Sequence, residues 1–105
     1  MAISNNFVRA GTIAAVFTAT GETAVTNMFF CNNSATEDTE LDVYLTPASY
    51  SPGTSTIIIK SLSLPATETF VFDAEKIILA NGDEIGAKAT VDSIVVATIS
   101  SVQTG

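Results

Sequence analysis

Leu41, Val43 and Leu45 alternate with Asp42 and Tyr44, the pattern of a strand with one face buried and the other in water. Val95, Ala97 and Ile99 repeat that spacing within Ile94–Val102, and Ile85, Ala87 and Ala89 repeat it against Gly86, Lys88 and Thr90. The small residues of the latter run point to close approach of a neighbouring strand or sheet. From Thr23 to Asn32 the apolar run Met28-Phe29-Phe30-Cys31 is nearly continuous, as in a central strand covered on both sides. Ile57–Lys60 is strongly β-forming and continues through Leu62 and Leu64 to Pro65, which lacks a backbone donor and ends the strand. Phe70 and Phe72, two apart, share one face of a further strand. Asp73-Ala74-Glu75 then reads as a polar break before a separate run, Ile77–Leu79.

Punctuation supports the same reading. Asn81-Gly82-Asp83 is a tight-turn signal, since Asn and Gly tolerate positive φ. Thr20-Gly21-Glu22 and Val91-Asp92-Ser93 read as turns, and Thr46–Ser55, with Pro47, Pro52 and Gly53, is the longest loop and a candidate interaction tip. Phe7–Ala19 carries Val8, Ile13, Val16 and Phe17 with a break or bulge at Gly11; a helix over Ile13–Phe17 is opposed by Thr12, Thr18 and Thr20 and by the lack of a cap. Met1–Asn6 reads as a flexible N-terminal arm ahead of one domain spanning 7–105. About eight strands with a turn signal roughly every ten residues predict an all-β fold, a single antiparallel β-sandwich of immunoglobulin-like or jelly-roll type. The expected core is Phe29, Leu41, Val43, Leu45, Ile57, Ile59, Phe70, Phe72, Ile77, Leu79, Ile85, Val95 and Ile99.

Composition sharpens this picture. The chain has 105 residues and is 47% hydrophobic, enough for one core without staples. Only 14% of residues are charged, against about 25% in an ordinary soluble domain. Much of the exterior must therefore be Ser, Thr, Asn, Ala or apolar, a surface suited to close contact with other subunits. The net charge is −7, from four basic and eleven acidic residues. Arg9, Lys60, Lys76 and Lys88 are scattered and form no basic patch, which argues against nucleic acid and anionic membranes as partners. The start shows neither a basic n-region nor a long apolar segment, so no signal peptide is expected. Cys31 is the single cysteine and reads as a buried, inert thiol.

Little in the chain points to catalysis. Histidine is absent, which removes the commonest general base and metal ligand. No phosphate-cradling loop is present, so neither catalytic, cofactor-binding nor metal-binding residues are assigned and no cofactor is expected. Asp73, Glu75, Asp83, Glu84 and Asp92 lie on successive C-terminal segments and would offer oxygen ligands to Ca²⁺ if those loops converged; their spacing fits no compact calcium loop, and solvated turn carboxylates are the simpler reading. Tyr44 and Tyr50 fit packing better than ligand binding. Glu68 and Lys76 could pair across a Phe70–Phe72 hairpin, and Lys76 could guard an edge. Asn32-Asn33-Ser34 is a glycosylation sequon with no secretory context.

The segments Leu64-Pro-Ala-Thr-Glu-Thr-Phe70, Glu75-Lys-Ile-Ile-Leu79 and Asn81-Gly-Asp-Glu-Ile85, followed by a β-rich run to Ser100, resemble small accessory virion proteins of tailed bacteriophages. The resemblance covers about Met28 to Ser100. It implies a β-sandwich structural protein without catalytic residues, located in a virion on the capsid exterior or in the neck or tail and made in the host cytoplasm. The expected function is capsid decoration, a cement protein bound between subunits of the major capsid protein. The alternative is a neck, tail or fibre protein acting as adaptor or receptor-binding module. Other virion structural proteins and further copies of the chain, with a trimer as one arrangement, are the expected partners. A glycan- or cation-binding module outside any virion is the remaining reading.

Overall fold

The computed structural model describes residues 2–103, without the side chains of Ala2 and residues 73–76. Eight strands run through the described residues: β1 Ala2–Val8, β2 Ala14–Thr18, β3 Thr23–Asn32, β4 Thr39–Thr46, β5 Ile57–Leu64, β6 Thr69–Leu79, β7 Glu84–Ala89 and β8 Val95–Gln103. They form two four-stranded antiparallel sheets, sheet I in the order β1-β8-β3-β6 and sheet II in the order β2-β7-β4-β5. The fold is an all-β sandwich. The first strand pairs with the last, β2 with β7, β3 with β6 and β4 with β5. The chain is thus one long antiparallel ribbon, doubled back at the β4–β5 loop and rolled so that β3 meets β8 and β4 meets β7. Of the two sandwich types expected, this is the jelly roll.

Two boundaries differ from the expected ones. Ala2–Val8 is no loose arm: it pairs residue for residue with β8, from Ala2 opposite Ser101 to Val8 opposite Val95. Polar side chains at positions 4–6 hid the strand, because an edge strand buries only alternate residues on one face. Asp73-Ala74-Glu75 is not a break between strands. β6 runs through it, and the register against β3 jumps from Asn27 opposite Asp73 to Val25 opposite Ile77, so residues 74–76 bulge opposite Thr26. The Glu68–Lys76 pairing and edge-guarding roles of Lys76 lie outside the described side chains. Asn81-Gly82-Asp83 is a turn, with Gly82 at φ 89°, but it joins β6 of sheet I to β7 of sheet II rather than two paired neighbours. Asp83 holds it by accepting the Ala80 amide at 2.9 Å and the Ala48 amide at 2.9 Å.

The core lies between the sheets. Val8, Met28, Phe30, Val95 and Ile99 meet Val16, Leu41, Val43, Ile85 and Ala87, all buried. Leu45, Ile59, Phe70, Phe72 and Ile77 are partly buried against this cluster. The rings of Phe70 and Phe72 share a face and meet edge to face, centroids 6.4 Å apart. Phe29, expected in the core, points outward at 36% exposure, and its neighbours Met28 and Phe30 are the buried pair. Ile57 is only half-buried. Asn32 is fully buried and fully used: its amide donates to the carbonyls of Glu37 (2.8 Å) and Leu64 (3.0 Å), and its oxygen accepts the Ser34 amide (3.0 Å). That burial removes the sequon's asparagine from reach of any glycan.

Candidate interaction surface

Alternation and register assign the outer face of sheet I. One row across it reads Phe7, Val96, Cys31, Thr69; the next reads Asn5, Thr98, Phe29, Val71; a third runs through Ile3, Ser100 and Asn27, with Asp73 next in register on β6. Val102, Ala24 and Ile78 continue the surface. Among the described residues, five of the seven large hydrophobic residues that stand exposed are here: Ile3, Phe7, Phe29, Val71 and Ile78. Strands β1, β8 and β3, adjacent in the sheet, contain no charged residue at all. The charged residues of sheet I are Asp73, Glu75 and Lys76, all on β6. Sheet II differs, with Glu40, Asp42, Lys60, Glu84 and Lys88 within its strands. A chain of net charge −7 therefore presents three adjacent strands of one sheet without charge. Cys31 is half-exposed on that face rather than buried as expected.

The continuous apolar run of β3 suggested a strand covered on both sides. The strand is indeed internal to its sheet, between β8 and β6, yet on its outer side Phe29 is exposed and Cys31 half-exposed. The signal was correct about hydrophobicity but not about cover on the outer side.

Other candidate sites gather no chemistry. Asp83 and Glu84 sit at one end of β7 and Asp92 beyond the other, so these carboxylates do not converge. The side chains of Asp73 and Glu75 lie outside the described residues, and among the described residues no three metal-binding groups stand together. Asp92 instead serves a turn. It accepts the Ala10 amide (3.0 Å) and the Ser93 hydroxyl (3.0 Å) and stands 3.6 Å from Arg9, whose guanidinium donates to Ser93 Oγ. The Ala10 amide, then Ser93, then Arg9 hold its carboxyl below the usual carboxylate range.

The 47–56 loop closes on itself through Gly53 and Thr56 and lifts Tyr50 to 70% exposure, while Tyr44 is buried. A shallow cleft of about 220 Å³ beside it is lined by Leu45, Thr46, Pro47, Ile78, Leu79 and Asp83. Its one ionisable group, Asp83, is already committed to two backbone amides.

Against this geometry, the sequence model for contractile injection system spike tip proteins matches residues 1–102. The chain belongs to that family. Neither curated proteins nor solved structures gave a significant match. Membership in the spike tip family makes the chain a structural protein of a phage-type injection particle, placed on the tail side among other proteins of the apparatus. It favours the tail alternative over capsid decoration, and the family offers no support for a capsid-exterior cement protein. The sequence alone placed the tail reading second, because the quoted motifs are turn chemistry shared by many β proteins and do not separate capsid from tail.

Proposed function

We propose that this chain is a non-enzymatic structural module at the end of the injection spike, seated on its neighbours through the outer face of sheet I. The observation that carries the reading is the family match over residues 1–102. The choice of surface is supported by the charge-free strands β1, β8 and β3 and by the exposed apolar residues they share with β6. Desolvating those three strands carries no penalty for burying charge. Self-association belongs to the same reading.

The test is made on purified particles. Mass spectrometry is expected to find the chain at low copy number, and electron microscopy of a tagged chain to place it at the spike end. Val71→Glu, on an exposed position, should reduce incorporation without changing the melting midpoint. Absence from particles, or density on a shell, would remove the proposal.

A further inference from the structure

Four strands have a free edge: β1 and β6 in sheet I, β2 and β5 in sheet II. An unpaired edge is a template for another strand, and proteins blunt it with short length, charge, proline or bulges. Three of these four are blunted. β2 has five residues and a register shift between Ala15 and Phe17. β5 carries Lys60, shifts register twice against β4, and is kinked at Ser61, which has φ 54° and donates its amide to Asp42. β6 carries the 74–76 bulge.

β1 has none of these devices. Its seven residues pair with β8 without a shift, and Ala2-Ile-Ser-Asn-Asn-Phe-Val8 contains no charge, proline or glycine. Its polar side chains are drawn away from the edge. Asn5 accepts the Thr98 hydroxyl on β8 (2.7 Å), and Asn6 donates to the Val16 carbonyl on β2 (2.8 Å).

We infer that the β1 edge pairs with the β1 edge of a second copy, antiparallel about a two-fold axis through Asn5. The strand is self-complementary in that register. Ile3 falls opposite Phe7 twice on the outer face, where both are exposed at 67% and 49%, and Ser4 falls opposite Asn6 on the inner side. An aromatic opposite a β-branched residue is a favourable cross-strand pair. Charge favours the same contact. In the joined eight-stranded sheet the six middle strands are β3, β8, β1 and their copies, all uncharged, and the charges of the two β6 strands stand at the far ends. At about 4.8 Å per strand those ends are roughly 34 Å apart, several Debye lengths at physiological salt. Two molecules of net charge −7 thus meet along strands that carry no charge. The inference rests on the self-association part of the proposal above, but it is tested on the isolated chain.

Sedimentation of the purified full chain across a wide concentration range is expected to show a monomer–dimer equilibrium. The Ile3→Lys, Phe7→Lys double variant should weaken it at least tenfold while leaving the circular-dichroism melt of the dilute protein unchanged. Asn5→Cys in a Cys31→Ser background should form a disulfide-linked dimer rapidly under mild oxidation, since the two-fold sets position 5 opposite itself; Thr69→Cys, on a distant strand, should not. A chain that stays monomeric throughout, a dimer indifferent to the two lysines, or equal cross-linking at positions 5 and 69 would overturn the inference. A wild-type chain that is monomeric in solution yet present at the spike would overturn this inference alone and leave the spike-end reading standing.

Discussion

Phe29 and Phe30 are neighbours in sequence with opposite environments. Phe30 is fully buried, opposite Ala97 on β8 and Phe70 on β6; Phe29 is 36% exposed, opposite Thr98 and Val71. Truncating a fully buried Phe removes its transfer free energy and leaves a cavity, about 3–5 kcal/mol in total. Phe29→Ala leaves no enclosed void and removes a ring already part hydrated, roughly 1–2 kcal/mol on area grounds. For a domain of this size each kcal/mol moves the midpoint by about 4–8 °C, so Phe30→Ala should fall by roughly 12 °C or more and Phe29→Ala by roughly 4–16 °C. Urea unfolding of both variants at low protein concentration, with an unchanged m-value, gives the comparison directly. Against a total stability of about 5–15 kcal/mol, Phe30→Ala should be the variant near the edge of folding. Equal losses, or a greater loss at Phe29, would mean that β3 is in the other register and that the outer face assigned to sheet I is wrong.

Further outcomes follow from the turns and the buried polar group. Asn32→Ala should cost roughly 1–3 kcal/mol by chemical denaturation, because it strands the Glu37 and Leu64 carbonyls and the Ser34 amide. Gly82→Ala should lower the melting midpoint, since the residue sits at φ 89° and an added Cβ would lie 3.0 Å from that of Ala48; an unchanged midpoint would contradict the turn geometry. Asp92 has a lowered carboxyl pKa, so its contribution is present above the unfolded value near 3.9 and fades as pH falls through the folded value. Asp92→Asn should therefore narrow the gap to wild type on acidification below about pH 4, with a small loss at neutral pH that salt reduces, as read from melting curves across pH.

Most strands were legible along the chain. Period-two patterns mark β4, β7 and β8, Pro65 ends β5, and Gly82 marks the β6–β7 turn, because these are local matters of side-chain alternation and permitted φ. β1 escaped because an edge strand needs little apolar content. The bulge in β6 passed for a break because a bulge and a break share polar composition. The face of Phe29 could not be read because a run of four apolar residues has no alternation; only pairing with β6 and β8 fixes which of them turns inward.

The sequence by itself determined that the chain is β-structured, short of charge and without histidine chemistry, since those follow from composition and local pattern. What only the tertiary structure decided is where the missing charge is missing. β1, β3 and β8 lie at opposite ends and in the first third of the chain, and nothing local relates them. Rolling the ribbon hydrogen-bonds the first strand to the last and the last to the third, and long-range pairing of that kind makes three separate uncharged segments into one continuous face and leaves one of them as an open edge.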